Sequence, residues 1–139
     1  MQHNEFENMP NDVLRTIALE LKPVDLISLC STNNKFKTVI CEDRSFWYRK
    51  LLKDYPEYAR FQQLKNPKNT YIRKFTEIIT IIEKITKNND PSNTERYYKA
   101  YTEYHLSNRY GLNPIVEKYN LNRHLFEEIN IKINRVMSI

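Results

Sequence analysis

The chain has 139 residues and a net charge of +5, a length that suits one domain or a small module with a helical extension. Its single glycine argues against an all-β fold, and no run approaches the roughly 20 apolar residues of a membrane span. The basic excess is spread evenly along the chain without a Lys/Arg block, so charge alone gives weak support for nucleic-acid binding.

Four short helices are predicted in the first part of the chain. Apolar residues at helical spacing mark residues 10–21, and Pro23 opens a second helix that ends near Ser31. The third and fourth cover about 33–41 and 45–55. Each is too short to be stable alone in water, so the helices must pack together or against a partner.

A polar connection at 56–70 separates this group from a second set of helices at 71–139. Helical spacing there predicts helices at 71–87 and 94–110, a short helix ending near Tyr119, and a last helix at about 122–137. Gly111 is predicted to end the helix 94–110 in a left-handed conformation. The sequence therefore predicts an all-α fold, with an N-terminal helical module at 9–55 followed by a small C-terminal helical bundle.

The residues that most often carry chemistry form no recognisable set. Cys30 and Cys41 fall in helical patterns beside apolar residues, so we expect reduced, buried thiols in an intracellular protein. His3, His105 and His124 lack the spacing of metal ligands. No Ser/His/Asp or Cys/His set and no glycine-rich phosphate loop is present. Neither an enzyme, a metal site nor a cofactor is predicted, and residues 1–5 lack the order of a signal peptide.

Residues 9–52 carry an ordered series of motifs that resembles the F-box. The order and spacing match that family over roughly a third of the chain. The matching residues are Met9-Pro10, Asn11-Asp12, Val13, Leu14, Ile17, Leu21, Pro23-Val24-Asp25-Leu26, Leu29-Cys30, Phe36, Phe46-Trp47 and Leu51. Met9 replaces the usual leucine and Phe36 the common tryptophan. The segment from Phe36 to Trp47 is one residue longer than typical, an insertion that can displace Trp47 relative to the third helix.

The resemblance implies three short helices that dock on the Skp-type adaptor of a Skp–cullin–F-box ubiquitin ligase, while the rest of the chain captures a target protein. The residues that it assigns to adaptor contact are Pro10, Ile17, Leu21, Pro23, Leu26 and Leu29. Trp47 and Leu51 would close the module, either on the adaptor or against its own helices. The alternative is that all of these are core positions of a helical bundle, which explains their joint order poorly.

Residues 56–139 show no leucine-rich, WD or kelch repeat. A short F-box protein rich in Ile, Asn, Lys and Tyr resembles those of large DNA viruses with AT-rich genomes, although an AT-rich protist or slime mould would fit the composition equally. We expect a location in the cytoplasm or nucleus, of the host cell in the viral case, and no membrane association.

The helix 94–110 has the best composition for recognising a target, because Tyr and Arg are enriched in interface hot spots. The candidate target-binding residues are Arg96, Tyr97, Lys99, Tyr101, Tyr104 and Arg109. Two alternatives remain for this helix: its tyrosines pack inward with hydroxyls at the rim, or they stack nucleic-acid bases. For the whole chain the alternatives are a helical interaction or virion protein with an F-box-like fold and no ubiquitin link, and a weak nucleic-acid-binding protein.

Overall fold

The computed structural model describes residues 6–60, 64–107 and 111–136, and every regular element within them is helical. The predicted all-α class is therefore confirmed. The chain divides into two compact units, Met1–Ile72 and Arg73–Ile139.

The first unit is built from short helices whose ends are fixed by local side chains. Pro23 is the first residue of the second helix, as predicted. The Asn33 side chain accepts a hydrogen bond from the Phe36 amide at 2.8 Å, and Asp43 accepts one from the Ser45 amide at 3.0 Å. The elements are α1 Asn11–Glu20, α2 Pro23–Thr32, α3 Asn34–Phe36, a π-helix Lys37–Cys41, α4 Arg44–Asp54, a 3-10 helix Pro56–Arg60, and α5 Pro67–Thr86, which continues into the second unit.

The π-helix lies within the segment from Phe36 to Trp47, for which the resemblance implied one extra residue. The Glu42 amide donates to the Lys37 carbonyl at 3.0 Å, a hydrogen bond that spans five residues and accommodates more residues per turn than an α-helix. Trp47 remains only 1% exposed, and its indole Nε1 donates to the Cys41 carbonyl at 2.9 Å. Trp47 thus lies in the core of the first unit.

The core of the first unit is formed by apolar side chains from each of its α-helices and from the π-helix. Tyr71, in the first turns of α5, is buried and packs on Trp47 and Tyr55, with ring centroids 5.6 Å and 5.5 Å apart. The beginning of α5 therefore belongs to this core. Because α5 starts at Pro67, its first four residues lie within the predicted connection 56–70, and the predicted helix 71–87 starts too late. The apolar side chains buried here are Phe6, Leu14, Ala18, Leu26, Leu29, Phe36, Ile40, Cys41, Phe46, Trp47, Leu51, Tyr55 and Tyr71.

The two cysteines are joined, which corrects the expectation of reduced thiols. Cys30 in the third turn of α2 and Cys41 at the end of the π-helix form a disulfide, with their Cα atoms 5.8 Å apart. Cys41 is buried, as expected, whereas Cys30 is half-buried. Their facing arrangement depends on how α2 packs against the π-helix, and sequence spacing carries no information about that packing.

In the second unit α6 Pro91–Ser107, α7 Leu112–Tyr119 and α8 Arg123–Val136 pack against one another. Gly111 precedes α7 with φ 77° and ψ −168°, a conformation open essentially to glycine alone. This ψ is not that of the predicted left-handed helix end, and residues 108–110, where the predicted helix would end, lie outside the described residues. The apolar side chains buried in this unit are Ile78, Ile82, Tyr97, Tyr98, Ala100, Tyr101, Ile115, Phe126, Ile129 and Ile133.

Candidate functional site: an exposed apolar face on the first two helices

The exposed large aliphatic side chains of the described part of the first unit are clustered in α1 and the start of α2. They are Val13 (46% exposed), Ile17 (37%) and Val24 (63%). Pro10, directly before α1, is exposed as well. We call these four residues the apolar face; half-buried Leu21 and Pro23 lie between Ile17 and Val24 in the chain.

The face exists because α1 has more apolar residues than its own unit can bury. Leu14 and Ala18, four residues apart, point into the core and are fully buried. Pro10, Val13 and Ile17 recur at intervals of three and four residues, so they form a second stripe beside the buried one. An apolar stripe exposed next to a filled core is the arrangement expected of one half of an interface.

A buried lysine holds the C-terminal end of α1. Pro23 has no amide hydrogen, so the Leu19 carbonyl cannot receive the backbone hydrogen bond that would continue the helix. Lys50, 2% exposed, donates from Nζ to the Leu19 carbonyl at 2.8 Å and to the Leu21 carbonyl at 2.6 Å. Its third partner is Asp54, at 3.3 Å. Burial lowers the pKa of Lys50, and Asp54 opposes that shift.

A second lysine holds the chain that leads into α1. Lys35 Nζ donates to the carbonyls of Glu7 and Met9 at 2.9 Å and 2.7 Å. Phe6 packs against Phe36 in the core, with ring centroids 5.8 Å apart. The helix that carries most of the apolar face is therefore fixed at both ends by contacts with α3 and α4.

Charged side chains lie on the same helix as the apolar face. Arg15 reaches Asp12 at 3.3 Å and Asp43 at 3.5 Å, and Lys53 pairs with Glu20 at 2.8 Å. The hydrogen bond from Lys53 lowers the pKa of the Glu20 carboxyl. Exposed pairs of this kind contribute little to stability, so their main effect is on the charge of the surface around the face.

The predicted adaptor contacts divide into surface and core residues. Pro10 and Ile17 belong to the apolar face, and Leu21 and Pro23 are half-buried. The remaining four residues are buried among the helices of the first unit. They are Leu26, Leu29, Trp47 and Leu51. These four residues belong to the core of the first unit and are not part of the apolar face.

The prediction missed two residues of the face and both lysines that hold α1. Val13 could have been found from its position four residues before Ile17 on the same side of α1. Val24 follows Pro23 in the first turn of α2, and nothing in its spacing distinguishes it from a buried position. Lys35 and Lys50 give no sequence signal, since a long basic side chain in an amphipathic helix is expected to face water.

The residues predicted to bind a target are dispersed. Tyr97 and Tyr101 are 3% exposed and lie in the core of the second unit, so they form no surface. The backbone amide of Asn122 donates to the Tyr97 hydroxyl at 3.0 Å, and Tyr104 is half-buried with its ring against Phe126. The tyrosines of α6 thus follow the inward-packing alternative. Of the predicted basic residues, Lys99 is exposed, Arg96 is half-buried and Arg109 lies outside the described residues.

Residues 6–60, 64–107 and 111–136 contain no group of three or more His, Cys, Asp or Glu side chains placed to hold a metal ion. In the same part of the chain, no helix combines the length and the apolar character that crossing a membrane requires.

A family model described as the F-box domain matches residues 6–48. The match begins at Phe6, which packs on Phe36, and ends at Tyr48, within α4. It contains α1, α2, α3, the π-helix and the whole apolar face. Neither the curated proteins nor the solved structures contain a match to this chain. The helical arrangement and the family match together identify residues 6–48 as an F-box domain.

Proposed function

We propose that the F-box docks on a Skp-type adaptor through the apolar face and that the second unit holds a target protein for ubiquitination. The chain then acts as the substrate adaptor of a Skp–cullin–F-box ubiquitin ligase in the cytoplasm or nucleus. Its partners carry out the transfer of ubiquitin, and the chain itself contributes binding surfaces.

The observation that carries the proposal is the location of the apolar face within the matched domain. Val13, Ile17 and Val24 are the large aliphatic residues left exposed in the described part of the first unit, and all three lie in the matched segment. Burying half-exposed aliphatic side chains of this size contributes about 1 kcal/mol each. Because both ends of α1 are anchored, the face is organised before binding, which lowers the entropic cost of association.

Charge substitution on the face tests adaptor docking. Val13→Glu/Ile17→Glu places two charges on the stripe without disturbing the buried residues beneath it. Thr76→Glu, an exposed position of α5 in the second unit, is the matched control. We expect the double variant to melt like the control yet bind purified Skp-type adaptor at least about tenfold more weakly in titration calorimetry. Absence of binding by the unchanged chain at tens of micromolar, or equal binding by both variants, would refute the proposal.

Target capture is assigned to the second unit for a physical reason. This unit has its own buried core and contains no residue of the apolar face, so its surface is distinct from the one assigned to the adaptor. Lys99, with 47% of its side chain exposed, and half-buried Arg96 are the described basic residues of the predicted set that can contribute to such a surface. Exposed Leu106, Ile131 and Val136 add apolar area on the same unit.

Charge reversal separates the two roles. Lys99→Glu should leave both the melting temperature and adaptor affinity unchanged, because Lys99 is exposed and surface substitutions rarely cost more than about 0.5 kcal/mol. Proteins are cross-linked to each variant and recovered with it. The charge-reversed variant should recover smaller amounts of the target proteins than the Val13→Glu/Ile17→Glu variant does. If both variants lose the same set of proteins, recognition is not divided between the two units.

A further inference from the structure

The disulfide between Cys30 and Cys41 is unexpected in a module that docks on an intracellular adaptor. Glutathione and thioredoxin keep most thiols of the cytosol and nucleus reduced, so cysteine pairs that close there are formed and broken during use. We propose that Cys30 and Cys41 are a reversible thiol–disulfide pair that controls how stably the F-box presents its apolar face. This inference rests on the proposed docking function, because it concerns the regulation of the same surface.

The location of the pair links it to the helix that carries the face. Cys30 lies in α2, which starts at Pro23 and Val24, and Cys41 ends the π-helix, against which α1 packs. The disulfide therefore links α2, which carries Val24, to the π-helix on which α1 packs. The Cys41 carbonyl also accepts the hydrogen bond from buried Trp47, so the linkage is adjacent to the centre of the core.

The chain has two cysteines, so the pair has no competing intramolecular partner. Their Cα atoms, 5.8 Å apart, lie at the usual separation for a disulfide, and closure requires no movement of the backbone. The two residues are 11 positions apart. Cross-linking a loop of that length removes conformations from the unfolded chain and so stabilises the folded unit.

Unequal burial assigns the two sulfurs different roles. Cys30 is half-buried, whereas Cys41 is 3% exposed, so Cys30 is the more accessible of the two residues to a small thiol or disulfide. In closure, the Cys30 thiolate attacks one sulfur of glutathione disulfide, forming a mixed disulfide and releasing one glutathione thiolate. The Cys41 thiolate then attacks the Cys30 sulfur and releases the second glutathione. The protein loses two thiol hydrogens and is oxidised, and one glutathione disulfide is reduced to two glutathiones. Reduction runs the same two steps in reverse, starting at Cys30.

The first experiment equilibrates the full chain in buffers of varied glutathione to glutathione disulfide ratio. Intact mass after alkylation counts free thiols, and circular dichroism gives the melting temperature. We expect complete loss of two thiols under oxidising conditions and a melting temperature about 10–20 °C above that of the reduced chain. The control Cys30→Ala/Cys41→Ala should melt at one temperature in every buffer. Retention of both thiols, or equal melting temperatures of the oxidised and reduced chains, would overturn the proposal.

Single variants test the assigned roles. Cys41→Ser should accumulate a chain carrying one glutathione on Cys30, whereas Cys30→Ser should form the corresponding adduct on buried Cys41 at least about tenfold more slowly. Equal rates would contradict the assignment of Cys30 as the entry point.

Adaptor binding is then measured at a temperature between the two melting points. The oxidised chain should bind and the reduced chain should not, while both bind well below the lower melting point. Equal binding by the two forms at the intermediate temperature would overturn the regulatory role. If neither form binds at any temperature while the thiol loss and melting shift persist, the proposed docking function fails and the redox pair stands.

Discussion

Lys50 offers the strictest test of how the F-box holds its first helix. Lys50→Met removes the ammonium group and keeps a long unbranched side chain in the same space. The Leu19 and Leu21 carbonyls then lose the donors that lie at 2.8 Å and 2.6 Å. A hydrogen bond from a charged group contributes about 1.5–3 kcal/mol to stability. Removing the buried charge also removes its desolvation cost, which offsets part of the loss. We expect a net loss of about 2–4 kcal/mol in the free energy of unfolding.

Guanidinium denaturation followed by circular dichroism measures this loss, with the melting temperature expected to fall by at least about 10 °C. Lys53→Met is the matched control, because Lys53 lies in the same helix, its side chain is 44% exposed and its ion pair with Glu20 lies at the surface. Its effect should stay within about 0.5 kcal/mol. If the two variants differ by less than about 0.5 kcal/mol, α1 does not depend on Lys50 and the reasoning fails.

The pH dependence of stability in the unchanged chain and in Lys50→Met gives an independent test of Lys50. Burial lowers the pKa of Lys50 below its ordinary value of 10.5. Between the folded pKa and 10.5 the unfolded chain binds more protons than the folded chain, so the stability contributed by this group rises with pH. The free energy of unfolding of the unchanged chain, relative to Lys50→Met, should therefore increase as pH rises through that window. A decrease would show that the charged form is the one favoured by folding.

Three further substitutions test the core. Trp47→Ala should cost about 3–5 kcal/mol and abolish cooperative unfolding of the first unit, and a melting temperature within about 2 °C of the unchanged chain would contradict its burial. Leu26→Ala/Leu29→Ala should lower adaptor binding and thermal stability together, since both leucines are buried; normal melting with lost binding would place them on the surface. Tyr71→Ala should destabilise the first unit by about 3–5 kcal/mol while Tyr71→Phe costs about 1–2 kcal/mol, and no difference between these two would place Tyr71 outside the core.

Local chemistry explains why the helix pattern was readable from the sequence. Pro23 cannot continue α1 and is well suited to begin α2, so this boundary needs no tertiary information. The apolar spacing of α8 likewise predicted a helix at about 122–137, close to the observed Arg123–Val136. The joint order of Pro10, Pro23 and Trp47 indicated the family, because a helical core by itself requires apolar spacing and not these residue types in this order.

Which apolar residues remain exposed could not be read in the same way. Ile17 and Leu26 have the same chemistry and both fit a helical stripe, yet Ile17 is 37% exposed and Leu26 is fully buried. The difference depends on which sides of α1 and α2 the other helices cover. Tyr97 and Tyr101 illustrate the same point, since residues with the composition of a hot spot are used to fill a core.

The sequence by itself determined that the chain is helical, where most helices begin and end, and that residues 9–52 follow the order of an F-box. These properties depend on neighbours three or four positions apart and on backbone limits of single residues. The tertiary structure decided that Cys30 meets Cys41, that Lys50 holds the end of α1, and that Pro10, Val13, Ile17 and Val24 remain exposed. Each of these depends on contacts between distant segments, where the same residue type can serve as core, anchor or surface according to what packs against it.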